Sequence, residues 1–186
     1  MGILNSGGCN INSIIFALNS IGCSDVIIVK SENEFNECDK IIIPGVGHAR
    51  VAMDLLRSQN LIEVLKSTEK PVLGICLGMQ IMFDYSSEGD VECLGIMAGR
   101  VVRLPQNLLA PQMGWNQLIG GKYDGKFVYF ANSYYAAPCL DTLSFVEYEN
   151  LKIAAIVKKD NFFGCQFHPE KSGIVGQKIL REFISL

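Results

Sequence analysis

Cys76 lies in Pro71-Val72-Leu73-Gly74-Ile75-Cys76-Leu77-Gly78-Met79-Gln80, an apolar run that turns at a glycine-flanked cysteine into a helical pattern. The spacing G-x-C-x-G is the thiol counterpart of the G-x-S-x-G nucleophile elbow, in which missing side chains let strand and helix backbones approach closely. A helix starting at about Leu77 would aim its free N–H groups at the sulfur and offer a donor to an oxyanion formed beside it. The sulfur is expected to stand exposed at the sheet's edge. A small core cysteine is the competing reading, and the two glycines weigh against it.

Attack by a thiol on a carbonyl needs a base to take the proton, and the base needs an orienting acceptor. Of the two histidines, His168 lies in Gln166-Phe167-His168-Pro169-Glu170, directly after an apolar strand pattern. Proline biases the residue before it towards extended backbone, where positions i and i+2 share a side, so Glu170 can reach the ring of His168. A plain surface turn is the bland alternative for such a short motif. His48 follows a glycine turn but has no adjacent carboxylate, and reads as a surface or helix-start residue. In Pro44-Gly45-Val46-Gly47 the peptide at Val46 can turn its N–H either way, and with the N–H of Leu77 it would form a two-donor oxyanion hole. A simple tight turn after a strand would look the same.

These residues need a sheet to hold them. A strand over residues 1–4, a helix carrying Ile11, Ile14, Ile15, Leu18 and Ile21 with Asn10 as its cap, and short β-branched runs at Val26–Lys30 and Lys40–Ile43 form strand–helix–strand grammar with buried parallel strands. Val51, Ala52, Leu55 and Leu56, then Leu61, Ile62, Val64 and Leu65, supply helical stripes before the Cys76 strand. From about Ser86 the grammar changes. Glu88-Gly89-Asp90 reads as a loop, Arg100–Leu104 as a strand and Gln106–Met113 as a loop. Phe127–Phe130, Leu143–Tyr148, Ile153–Lys158 and Phe162–Phe167 read as strands that add antiparallel partners to the sheet, and residues 174–186 as a closing helix.

With 186 residues, 49% hydrophobic and 19% charged, the chain suits one domain over residues 1–186 with a sizeable core. A net charge of −3 without a Lys/Arg run gives no footprint for nucleic acid or an anionic membrane surface. Seven scattered cysteines with no C-x-x-C pair point to a reducing compartment, and two histidines exclude a histidine-rich metal site. No apolar run reaches the roughly 18 residues of a membrane span. A cytoplasmic protein with no metal or other cofactor is expected.

Together, Pro44-Gly45-Val46-Gly47, the Cys76 elbow through Gln80, Met113-Gly114-Trp115-Asn116 and Gln166-Phe167-His168-Pro169-Glu170-Lys171-Ser172 resemble the class I glutamine amidotransferases, and among them the glutaminase subunits of imidazole glycerol phosphate synthase. The resemblance spans nearly the whole chain. It implies a three-layer, flavodoxin-like α/β domain with a mostly parallel central sheet and added antiparallel strands. By the same resemblance, L-glutamine is hydrolysed to glutamate and ammonia through a thioester on Cys76, with His168 as acid and base and Glu170 behind it. Gln80 and the backbone around Gly47, Ser133 and Tyr134 would hold the glutamine. The implied partner is a (β/α)8-barrel cyclase subunit that receives the ammonia, met through Trp115, Tyr129 and Lys171. For Trp115 a place in the core is an equal alternative.

This chain departs from the family pattern at Gln112 and Asn132, where histidine is usual, and in Asn5-Ser6-Gly7-Gly8-Cys9-Asn10. Those segments are expected to face the partner, so a paralogous glutaminase feeding a sugar amidotransferase remains open. So do a catalytically idle interaction subunit and a cysteine hydrolase of another substrate. A peptide free to flip at Val46 further implies slow hydrolysis by the isolated chain that rises with a liganded cyclase.

Overall fold

The structure is a computed structural model that describes residues 1–5, 7, 11–45 and 47–186. In chain order the first half runs β1 (Gly2–Leu4), α1 (Ile11–Ser20), β2 (Ile27–Val29), α2 (Glu32–Asn36), β3 (Ile41–Ile43), α3 (Ala49–Ser58), α4 (Leu61–Ser67), β4 (Val72–Ile75) and α5 (Leu77–Gln80). The second half is richer in strands. It runs β5 (Phe83–Ser86), β6 (Val91–Glu92), β7 (Met97–Arg103), β8 (Gln112–Gln117), β9 (Phe127–Asn132), β10 (Tyr134–Ala136), β11 (Thr142–Tyr148), β12 (Leu151–Lys159) and β13 (Phe162–Cys165), then a 3-10 turn at Pro169–Lys171 and α6 (Gly173–Ile184).

A seven-stranded sheet in the order β11-β12-β13-β4-β3-β1-β2 organises the molecule. The five strands from β13 to β2 pair in parallel, while β12 joins β13 and β11 joins β12 antiparallel. Alternation along each strand divides the core in two. Ile41, Ile43 and Val72 face the side covered by Met53 and Leu56 of α3 and Leu61 and Leu65 of α4, whereas Ile42, Leu73 and Ile75 face Ile14 and Leu18 of α1 and Leu180 and Phe183 of α6. The result is the expected three-layer α/β architecture. No helix among the described residues is long and apolar enough to cross a membrane.

Several expectations need correction. The second half does not simply extend the main sheet: β10-β7-β5-β6 form a separate four-stranded sheet and β8-β9 a hairpin, so only β11, β12 and β13 join the centre. Residues 112–113, read as loop, begin β8. The run at β2 is an edge strand with Ile27 and Ile28 only half-buried, rather than a fully covered one. The stripe on α3 is also displaced, since Val51 is exposed while Ala49, Ala52, Met53 and Leu56 are buried.

Helix α2 has a readable start that periodicity misses because the helix is so short. Ser31 accepts the N–H of Glu34 at 3.4 Å, and the Glu34 carboxylate accepts the N–H of Lys30 at 2.7 Å, close to the reciprocal pattern of a capping box. The predicted Asn10 cap lies outside the described residues.

Candidate active site

Parallel strands β4 and β13 are neighbours in the middle of the sheet, with Ile75 opposite Cys165. The residues that follow each strand at its carboxyl end are therefore delivered to one place, where open α/β sheets bind their ligands. Cys76 comes directly after β4, and its N–H is held by the carbonyl of Cys165 at 2.7 Å. Its backbone sits at φ 50° and ψ −106°, a conformation that side-chain-bearing residues rarely adopt. This strained turn is the elbow expected from the glycine spacing.

Its neighbours show why glycine is required. A Cβ on Gly78 would stand 2.0 Å from the carbonyl oxygen of Ile43, and one on Gly45 would stand 2.2 Å from that of Ile75 and 2.8 Å from the Cβ of Cys76. Gly78 thus lets α5 settle against β3, and Gly45 lets the loop after β3 press on the elbow. The sulfur is not exposed at an edge as expected, because Cys76 is only 6% accessible and opens into a pocket.

His168 reaches the same place from β13. Gln166 is tied to β12 by its N–H to Ala155 O at 3.0 Å, Phe167 is fully buried edge-on against Phe130, and His168 N–H bonds Tyr129 O of β9 at 2.9 Å. Ser172 completes the clamp, its hydroxyl donating to His168 O at 2.7 Å and accepting from Tyr129 N–H at 2.9 Å. The ring is 2% accessible by residue, and its Nδ1 lies 2.8 Å from Glu170 Oε1. Glu170 makes this contact from the 3-10 turn rather than from continued extended chain, so the expected pairing is present by a different local geometry.

With Nδ1 engaged by the carboxylate, Nε2 is the ring nitrogen left to serve the sulfur of Cys76, which lines the same pocket. Burial pulls the imidazole down, but the hydrogen bonds with Cys76 and Glu170 and their charges outweigh it and raise His168 from 6.5 to about 10. The neighbouring Cys165 behaves differently. Full burial, followed by the charges of Glu170 and Cys76, pushes its thiol well above its ordinary value and keeps it protonated. The arrangement can hold an imidazolium beside a nucleophilic sulfur and return the proton to a leaving amine.

The pocket, about 270 Å³, is lined by Gly45, Gly47, Cys76, Leu77, Gln80, Ser133, Tyr134, His168 and Lys171 among others. It brings together every described residue expected at the nucleophile, base, oxyanion-donor and substrate positions, while Glu170 stands behind the imidazole, outside the lining. Leu77 opens α5, so its N–H has no partner within that helix. Val46, the other expected donor, lies outside the described residues. His48 is exposed, starting α3 with its ring against Gly89 and outside the pocket lining.

Trp115 and Tyr129 also lie outside the lining; they meet edge to face at 6.0 Å on the β8–β9 hairpin. Trp115 is 57% exposed, which rules out the core alternative. Gln112 and Asn132, expected to face a partner, are instead buried and opposite one another in the hairpin's register.

Glu88 is a pocket residue that sequence reasoning missed. It sits in the turn between β5 and β6, lines the pocket, and accepts the N–H of Ala49 at 2.9 Å, so it also caps α3. Arg50 secures this turn through the carbonyls of Gly89 and Asp90. Nothing local distinguishes Glu88 from a loop carboxylate. Among the described residues no group of three His, Cys, Asp or Glu side chains is placed to hold a metal ion. A second cavity of about 220 Å³, mostly apolar, lies by α6 between Tyr123, Ile156, Phe163 and Phe183; it touches Cys165 but none of Cys76, His168 and Glu170.

Residues 3–186 match the family model described as glutamine amidotransferase class-I. The chain belongs to the class I glutamine amidotransferases. Relatives of this class I chain include proteins named imidazole glycerol phosphate synthase subunit HisH. The one from Bacteroides thetaiotaomicron is 41% identical, covering 95% of this chain and 94% of the relative. That from Pasteurella multocida is 39% identical over 98% and 96% of the two chains. Among solved structures, a glutamine amidotransferase has a TM-score of 0.78 at 14% identity, covering 99% of this chain and 97% of that one. The structure of PurLQS from Thermotoga maritima has a TM-score of 0.74 at 17% identity, covering 99% and 96%. At those identities the structural likeness establishes the amidotransferase fold.

Proposed function

We propose that this chain is a single glutaminase domain that serves as the ammonia-producing subunit of an imidazole glycerol phosphate synthase in histidine biosynthesis. The observation that carries the chemistry is the convergence of Cys76, His168 and Glu170 at the carboxyl ends of adjacent central strands. Near full-length similarity to the HisH subunits supports the pathway.

In this reading the Cys76 sulfur attacks the side-chain amide carbon of L-glutamine, forming a C–S bond and an oxyanion. The Leu77 N–H faces that oxygen, with the Val46 N–H as its second donor. His168 gives its proton to the departing nitrogen as the C–N bond breaks, leaving a thioester and ammonia. A water molecule, deprotonated by His168, then attacks the thioester carbon; the C–S bond breaks and glutamate leaves. Glu170 keeps the ring oriented and favours its charged form. The amino-acid end of the substrate meets Glu88, whose carboxylate suits the α-ammonium, and Lys171, whose ammonium suits the α-carboxylate.

The partner is a (β/α)8-barrel cyclase that accepts the ammonia, docking on the face formed by Trp115, Tyr129 and Lys171. Exposed Met113, Trp115 and Phe127 on the same hairpin supply the apolar area such docking needs. Glutamate release by the purified chain, alone and with a cyclase subunit carrying its nucleotide ligand, tests both parts. Slow turnover that rises strongly with the liganded cyclase and vanishes in Cys76→Ser is the expected result. Equal turnover with and without the cyclase would move the search to a sugar-modifying partner, and no turnover in either case would leave a binding subunit.

A further inference from the structure

The sulfur of Cys76 has a second side-chain neighbour besides the imidazole. Gln166 is fully buried and places its Nε2 at 3.5 Å from Sγ. Its Oε1 accepts a hydrogen bond from Gln80 Nε2 at 2.9 Å, and that same nitrogen donates to the backbone carbonyl of Tyr134 at 2.8 Å.

The direction of this chain is dictated by its far end. A backbone carbonyl can only accept, so Gln80 must turn its amino group towards Tyr134 and Gln166. Gln166 then has to meet that donor with its oxygen, which leaves its own N–H groups for the sulfur. Neither amide can flip without setting donor against donor or acceptor against acceptor. The backbone holds the geometry as well, since Gln166 is bonded to β12 and followed by the buried Phe167. Gln80 belongs to the pocket lining whereas Gln166 does not, so the relay runs from the substrate's side of the pocket to the nucleophile.

We propose that Gln166 is a positioning residue of the glutaminase reaction: its side-chain amide fixes the aim of the Cys76 sulfur, donates to it when it carries negative charge, and ties it to Gln80. The inference rests on the glutaminase reading, because it assumes that Cys76 is the nucleophile. A donor to an anionic acceptor in a buried site is worth much more than the same donor to a neutral thiol, so its effect falls on reactive states rather than on substrate affinity.

The test is Gln166→Met, which keeps the length of the side chain and removes both polar ends. Steady-state glutamate release and the rate of Cys76 alkylation by iodoacetamide at neutral pH, followed at the Cys76 peptide, are measured for this variant and the unaltered chain. The expected result is a kcat lower by roughly 10- to 100-fold with KM within about twofold, and a parallel slowing of alkylation. Unchanged kcat and alkylation in Gln166→Met, with an active unaltered chain, would overturn the inference and leave the glutaminase reading intact. An unaltered chain without glutamate release both alone and with the liganded cyclase, or with Cys76 no more reactive than its other cysteines, would instead remove the reading on which it rests.

If Gln166→Met does not fold, the 15N-labelled unaltered chain provides the second measurement. Alkylating Cys76 should shift the side-chain amide resonances of Gln166, and resonances that stay in place would overturn the inference.

Discussion

The carboxylate of Glu88 meets two demands at once, capping α3 through Ala49 and presenting negative charge to the pocket. Glu88→Gln keeps an oxygen for the Ala49 N–H and removes only the charge. In the glutaminase reading this raises KM for glutamine by about tenfold or more while kcat stays within a few-fold. Initial rates of glutamate release over a range of glutamine concentrations check this, and an unchanged KM would exclude Glu88 from substrate binding. The contrast with Cys76, His168 and Glu170 shows what a sequence can reveal about a site. Those three announce themselves through their immediate neighbours: two glycines around the thiol, and a proline between base and carboxylate. Glu88 reaches the pocket on a turn of the smaller sheet, so only the tertiary arrangement identifies it. Gln112 and Asn132 fail for a related reason, since along a hairpin the buried and exposed faces alternate and a one-residue step decides which way a side chain points.

At the scale of elements, the tightest constraint is the crossing of α5 over β3. Gly78→Ala would place a methyl group 2.0 Å from the Ile43 carbonyl oxygen, against backbone that cannot rotate away. The expected loss is about 3 kcal/mol of stability. Thermal or denaturant unfolding of the purified variant measures it, and a loss below about 1 kcal/mol would mean that strand and helix separate more easily than their packing indicates. Elements buried on both faces were the most legible. Ile41–Ile43 and Val72–Ile75 are continuous apolar runs because each side of the sheet carries a helical layer. Strands β5, β6, β8 and β10 left weaker traces, being short or exposed along one face, with glycine and polar residues interrupting the alternation. Helix α2 lacked the length for a period to emerge, although its cap was written in Ser31 and Glu34.

For the whole molecule, the β8–β9 hairpin carries exposed apolar side chains next to the turn that bears Glu170 and Lys171. In the proposed reading, in which a cyclase docks on this face, Trp115→Ala is expected to weaken that binding by about 30-fold without changing the chain's own fold. Calorimetric titration checks this, and an unaltered Kd would place the interface elsewhere. The parallel half of the sheet was readable from the strand–helix alternation. Its completion was not, because the strand that fills the gap between β4 and β12 comes from the antiparallel second half. That inserted strand, β13, brings His168 to Cys76 across a sequence separation spanning half the chain. While a ribosome is still synthesising residues before β13, neither the Cys165 carbonyl that holds the elbow nor the acid–base partner of Cys76 yet exists. A nascent chain therefore cannot waste glutamine before the centre of its sheet is closed, and the same insertion that completes the fold switches the chemistry on.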